Sequence, residues 1–120
     1  MADIPVRCFA ASVVLLRLMD GQPEVLLLRR DHTLVGEWCQ VAGTIENGEK
    51  AWEAALREVK EETGLACHRF YSADICEQFY EADRDAISLL PVFVGFVDPR
   101  RPLSSIMSTA NFAGFRSKKH

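Results

Sequence analysis

Residues 43–65 read GTIENGEKAWEAALREVKEETGL, and the character of the chain changes part-way along this stretch. Asn47-Gly48 is turn chemistry, a dipeptide that tolerates positive φ. From Lys50 to Thr63, Trp52, Ala55, Leu56, Val59 and Thr63 fall at i, i+3, i+4, i+7 and i+11, one apolar face of an amphipathic helix. Gly64 follows, suiting the left-handed position that ends a helix. On that helix Glu58, Glu61 and Glu62 share one face, about a third of a turn from the apolar stripe. Carboxylates this close repel one another unless a cation sits among them. Hard oxygen ligands of this kind suit Mg²⁺ or Mn²⁺, which also bind phosphates. An E-x-x-E-E run taken alone is more often a solvated helix face.

The flanking residues change that balance. The stretch resembles the signature of the Nudix hydrolases, G-x5-E-x7-R-E-U-x-E-E-x-G-U with U aliphatic. Gly43, Glu49, Arg57, Glu58, Val59, Glu61, Glu62, Gly64 and Leu65 fill its fixed positions. The resemblance runs from Val6 to Val97, with two apolar strands and an arginine pair before the box and Trp38 ahead of the loop. It implies an α/β fold, the Nudix-type α/β/α sandwich with a mixed β-sheet, here with the C-terminal strand and helix missing or altered. It also implies a pyrophosphohydrolase that uses Mg²⁺ (or Mn²⁺) to cut a phosphoanhydride bond. The substrate would be a nucleoside triphosphate, or a nucleoside diphosphate linked to another group.

Each signature residue then has an expected task. Glu58 and Glu62, one turn apart, are the leading metal ligands, with the Gly43 carbonyl as a further one. Glu61 shares the metal or positions the attacking water. Arg57 pairs with Glu49 and pins the loop to the helix, support of the kind a metal site needs. In such a site metal ions neutralise phosphate oxygens, acidify a water and stabilise the leaving phosphate. Glu61 and Glu58 are candidate bases within the box, and Glu81, Asp83 and Asp85 remain candidates because some family members carry the base on a distal loop. Arg29 is a candidate phosphate contact, although an arginine ending a strand is more often only a surface charge. His32 and His68 have no partner spacing that singles them out. Gly43-x4-Gly48-Glu49-Lys50 is a near miss to a phosphate-binding P-loop; it fails because Glu49 stands where the lysine belongs and would repel phosphate.

Outward from the box, Cys8–Leu18 reads as a buried strand and Glu24–Arg30 as its hairpin partner across Asp20-Gly21-Gln22-Pro23. A loop through Gly36 leads to a short apolar segment, Trp38–Ala42. Phe70–Tyr80 and Ala86–Val97 read as two further strands, with acidic Glu81–Asp85 between them.

The 120 residues suffice for one domain with a single core. Residues 1–99 hold 9 basic and 17 acidic side chains, a net of −8, whereas 100–120 hold 5 basic and no acidic ones, a net of +5. An acidic body does not suit a protein that grips a nucleic acid polymer by surface charge. The four cysteines, Cys8, Cys39, Cys67 and Cys76, show no paired spacing and read as buried, reduced thiols. With no signal peptide and no long apolar run, the expectation is a cytoplasmic protein with a nucleotide-type small-molecule substrate and no membrane partner.

The division expected is a Nudix domain over residues 1–99 and an atypical basic tail over 100–120. Leu103–His120 has weak periodicity and reads as a flexible, disordered tail. Read one nucleotide earlier, codons permitted for this tail can encode a glutamate-histidine pair, then a tryptophan strand and an acidic helix start, so a frameshifted or truncated gene is the sharper expectation. An uncovered sheet face would then favour a homodimer or aggregation. Two other functions compete: a catalytically impaired Nudix-fold module that binds nucleotide without turnover, and an acidic helix that binds Ca²⁺ or protein.

Overall fold

A computed structural model describes residues 1–29 and 38–101, together with the backbone of 107–111. After a short strand β1 (Val6–Arg7), β2 (Ala10–Met19) turns back as β3 (Gln22–Arg29). The turn is the two residues Asp20 and Gly21, with φ of 52° and 78°, a geometry whose twist matches that of the paired strands. It is tighter than a turn through Pro23, which already pairs with Leu18.

The apolar segment after the loop forms two strands, β4 (Trp38–Cys39) and β5 (Val41–Thr44), broken at Gln40. β4 pairs with the end of β3, Arg29 opposite Trp38. β5 instead pairs with β2, Val13 opposite Val41 and Ala11 opposite Gly43. β3 leaves β2 beyond the Leu15–Leu26 pair, and β5 takes its place.

α1 (Ala51–Thr63) follows. At its start Glu53 Oε1 accepts the Lys50 backbone N–H at 2.9 Å, which satisfies one of the donors a helix leaves open. Its end is Gly64 at φ 72°, whose N–H reaches the Lys60 carbonyl at 2.9 Å. β6 (Cys67–Glu81) and β7 (Ala86–Val97) then form a long antiparallel hairpin. β7 runs parallel to both β1 and β2, so the sheet is mixed, and the expected α/β class with a mixed sheet is what the chain adopts. Pro91, which cannot donate to a ladder, stands in the interval where β7 passes from Ser88, opposite Arg7, to Val92, opposite Ser12. In β6, Ala73 to Ile75 bulge out between Ser72 and Cys76, with Asp74 at φ 57°.

α1 lies on one face of the sheet. Its Ala55 and Val59 pack with Ala11, Val13, Leu15, Val41, Phe93 and Val97. Burying a valine or leucine in such a layer contributes roughly 1.5–3 kcal/mol. The buried stripe is not the one expected. Trp52 is 47% exposed, while Ala54, Ala55 and Val59 are buried. At about 100° per residue, the helix is turned so that Ala51, Ala54, Glu58 and Glu62 look toward the sheet. The small alanines let it approach closely, which an inward tryptophan would prevent.

The opposite face was expected to lie open, yet its centre is covered: Ser12, Leu16, Val25 and Val92 are all buried. Met107–Asn111 supplies a strand, β8, antiparallel to β3 with Leu26 opposite Thr109; the weak periodicity there does not announce it. The disorder or change of frame expected for the rest of the tail falls on residues 102–106 and 112–120, outside the described residues. So do His32 and the loop through Gly36. None of the four cysteines is in a disulfide; Cys39 and Cys67 are partly buried, but Cys8 and Cys76 are exposed, which corrects the expectation of burial.

Candidate active site

The site is built where β5 meets α1. Gly43, in β5, pairs with Ala11 and faces the helix. A side chain at position 43 would come within 2.5 Å of Glu58 Cγ and Oε1. Glycine is required here because the Glu58 carboxyl lies against the strand backbone. Glu58 is only 15% exposed, and Glu62, one turn on, is half-buried. Both sit nearer the sheet than a carboxylate face a third of a turn from the apolar stripe would.

A carboxylate held this far from water needs charged or hydrogen-bonding partners. Arg57 Nη1 donates to Glu58 Oε1 at 2.7 Å. The same guanidinium gives Nε to Glu49 Oε2 at 2.7 Å and Nη2 to Glu49 Oε1 at 3.0 Å, a two-pronged pair. Nη2 also donates to the Thr44 carbonyl at 2.9 Å. Nη1 reaches Glu61 Oε2 at 3.2 Å and lies 3.6 Å from Glu46 Oε1. Arg57 therefore ties the end of β5, the loop and the helix together. Glu49 Oε1 further accepts the Glu46 backbone N–H at 2.9 Å. The Arg57 hydrogen bonds, and then the Glu46 amide, hold the Glu49 carboxyl down at about 2. The hydrogen bonds to Glu49, and then that to Glu58, push the Arg57 guanidinium up.

The pairing of Arg57 with Glu49 is as the sequence suggests; the reach of Arg57 to Glu58, Glu61 and Thr44 is not visible in it. Glu61 stands at the rim, its side chain 57% exposed. As they stand, no three carboxylate, imidazole or thiol side chains among the described residues converge closely enough to enclose a cation. Glu58 and Glu61 both turn to Arg57 Nη1 instead.

The distal acids lie elsewhere. Glu81 pairs with Ala86 at the tip of the β6–β7 hairpin, about five residues beyond the level of Gly43 and three strands away. At ~3.3 Å per residue and ~4.8 Å per strand, that separation exceeds 20 Å. Tyr80 donates its hydroxyl to Asp85 at 2.7 Å. These acids do not reach Glu58. Arg29 is exposed at the end of β3, and His68 is exposed on β6.

A second polar group was missed by the sequence reading. Gln40, at the break between β4 and β5, donates Nε2 to Ser12 Oγ and, at 2.5 Å, to Glu77 Oε1. Its only sequence signal is a polar residue inside an apolar segment.

The NUDIX domain model matches residues 7–102. A Homo sapiens 8-oxo-dGDP phosphatase is 33% identical over 97% of this chain and 33% of its own length. A Caenorhabditis elegans bis(5'-nucleosyl)-tetraphosphatase is 35% identical over 61% of this chain and 54% of its own. The chain thus spans between a third and about half of these relatives. Among solved structures, a C. elegans Ap4A hydrolase superposes with a TM-score of 0.66 at 23% identity, covering 91% of this chain and 81% of that one. The NUDIX domain of Shewanella oneidensis NrtR, solved with ADP ribose, gives 0.64 at 17% identity, covering 94% and 76%. The structures share the fold, and the domain match extends well beyond the signature: this chain belongs to the Nudix family.

Proposed function

We propose that this protein is a divalent-metal-dependent pyrophosphohydrolase that cleaves a phosphoanhydride bond in a nucleoside triphosphate or in a nucleoside diphosphate linked to another group. The observation that carries the reading is the Glu58 carboxyl lodged against Gly43, in space that any side chain would fill. The names of the two relatives, a tetraphosphatase and a nucleoside diphosphate phosphatase, support the substrate class.

The donor set is of the kind Mg²⁺ or Mn²⁺ takes: carboxylate oxygens of Glu58 and Glu62 on one helical turn, the backbone carbonyl of Gly43 on the strand that Glu58 lies against, and Glu61 at the rim, all hard ligands. Bound there, such a cation neutralises phosphate oxygens and makes a nearby water easier to deprotonate. Arg57, held by Glu49 and Thr44, fixes the direction of the Glu58 carboxylate. Glu61, gripped through Oε2 by Arg57, keeps Oε1 to receive the proton of the attacking water. Arg29 is assigned a contact to substrate phosphate. A cytoplasmic setting, a homodimer and the absence of a polymer or membrane partner complete the reading; the acidic body supports it, and no helix among the described residues is long and apolar enough to cross a membrane.

The test is release of phosphate or pyrophosphate from a panel of nucleotides with Mg²⁺. Glu62→Gln should lower turnover by about 100-fold, the scale of losing a group that stabilises the transition state, and should remove the rise in melting temperature that Mg²⁺ gives the parent. Turnover that survives a chelator, or that Glu62→Gln leaves intact, overturns the reading. Nucleotide-dependent stabilisation without turnover would favour the binding module.

A further inference from the structure

β6 is paired along one edge only. β7 occupies that edge from Cys67 to Glu81, and among the described strands none lies on the other. A strand of 15 residues with a free edge presents a row of open N–H and C=O groups to any extended segment beside it. The Ala73–Ile75 bulge interrupts this edge at its middle but does not make it polar. Tyr71, Ile75 and Tyr80 are all exposed, Ile75 at 62%.

The charges along the strand are ordered. His68 and Arg69 stand near its start, Glu77 and Glu81 near its end, and Asp83 and Asp85 follow in the turn. Such a strand complements its own reverse. Laid antiparallel beside itself, each basic end meets an acidic end; laid parallel, like charges meet. Partners must also share a face, and a shift of one residue breaks that match. Arg69, Tyr71, Phe79 and Glu81 stand opposite Phe96, Val94, Ser88 and Ala86, on the face away from α1. Phe70 and Tyr80, opposite Gly95 and Ile87, lie on the α1 face.

We propose that the free edge of β6 binds a second copy of this chain, the two strands antiparallel about a two-fold axis at Ile75. In that register Arg69 falls opposite Glu81 of the second copy, Phe70 opposite Tyr80 and Tyr71 opposite Phe79. Every pair shares a face, and the two Ile75 side chains meet on the axis. An axis at Asp74 would set two carboxylates against each other; one at Cys76 would carry Arg69 past the end of the strand. The two bulges overlap at the axis, so the backbone ladder breaks once, at its centre, and the flanking runs pair as regular strand. An axis normal to the sheet keeps both α1 helices on one side of it. The inference rests on the homodimer in the reading above and gives it a surface; the chemistry at Glu58 is independent of it.

The experiment is sedimentation equilibrium of the full chain over a range of concentrations, which should give the mass of two chains and a dimer Kd. Arg69→Glu turns two attractive pairs into repulsive ones and should raise that Kd by about ten-fold or more. Ile75→Asp, which sets two carboxylates on the axis, should raise it at least as far. Arg69→Glu combined with Glu81→Arg restores both pairs in reverse and should return the Kd to within about three-fold of the parent. Should the Glu81 substitution fail to fold, the exposed positions 69 and 75 decide alone. A parent that sediments as a monomer throughout overturns the interface and the homodimer together. A dimer whose Kd the substitutions at 69 and 75 leave unchanged, or a folded double variant as weak as Arg69→Glu alone, overturns the interface and spares the homodimer. Nucleotide turnover, measured separately, bears on the active-site reading and on neither of these.

Discussion

The Glu58 carboxyl occupies the space that a side chain at position 43 would take. Helix and strand are so close at this point that one residue must lack a Cβ for the other to place its oxygens beside the backbone. Gly43→Ala should therefore damage chemistry more than folding, because the clash falls on the end of a flexible side chain. Stability should fall by about 1–3 kcal/mol, as for overpacking, while turnover falls by at least ten-fold. Urea denaturation beside kcat measurement separates the two; a large loss of stability with normal turnover would contradict the assignment.

Arg57 should not tolerate lysine. Its planar fork serves Glu49 twice, Thr44 once and Glu58 once, and an ammonium cannot reproduce that geometry. Arg57→Lys should cost roughly 10–100-fold in activity or in the Mg²⁺ concentration needed for half-maximal turnover, the range for residues that orient metal ligands. A near-normal Mg²⁺ titration in this variant would show that Arg57 does not aim Glu58.

The Glu49–Arg57 pair sets a direction for acid stability. The Glu49 carboxyl is held at about 2 in the folded chain against an ordinary value of 4.5. Between those values the unfolded chain binds more protons than the folded one, so stability falls as the pH drops. The contribution of the pair should be complete above about pH 4.5 and lost progressively as the pH approaches 2. Denaturation midpoints of the parent and Glu49→Gln, followed from pH 6 to pH 2.5, should be separated at the high end and converge at the low end. A constant separation across that range would refute the assignment.

Gly64 tests the fold apart from the chemistry. Its φ of 72° costs a residue with a Cβ about 1 kcal/mol, and nothing lies within 4 Å of where that Cβ would go. Gly64→Ala should lower the denaturation midpoint by that amount with activity retained. A neutral result would mean that the helix end can rearrange.

What could be read from the residues was what depends on near neighbours. The ends of α1, the Asp20-Gly21 hairpin and the limits of β7 follow from turn residues and periodicity. The rotation of α1 does not. Trp52 counts as apolar in any periodic reading, but the surface beneath the helix, with Gly43 in it, takes only small side chains. Contact with the sheet decides which stripe turns inward, and it turns Glu58 in and Trp52 out. β8, the covered second face and the Ser12–Gln40–Glu77 group depend on registers set over 28 to 37 residues or more of intervening chain. No local pattern encodes such distances. The Nudix signature named the acidic residues because it is a record of chemistry; the remote Glu81–Asp85 tip shows that proximity was not written beside it.

Ala51, Ala54 and Ala55 form the spacer between α1 and the strands. Enlarging any of them by even two methyl groups would lift the helix as a rigid bar, pulling Glu58 and Glu62 from Gly43 together by a common increment. Variation at these chemically inert positions, Ala54 and Ala55 buried and Ala51 partly so, should thus tune the reaction in graded fashion, so that drift in the core reaches catalysis without any acidic residue being touched.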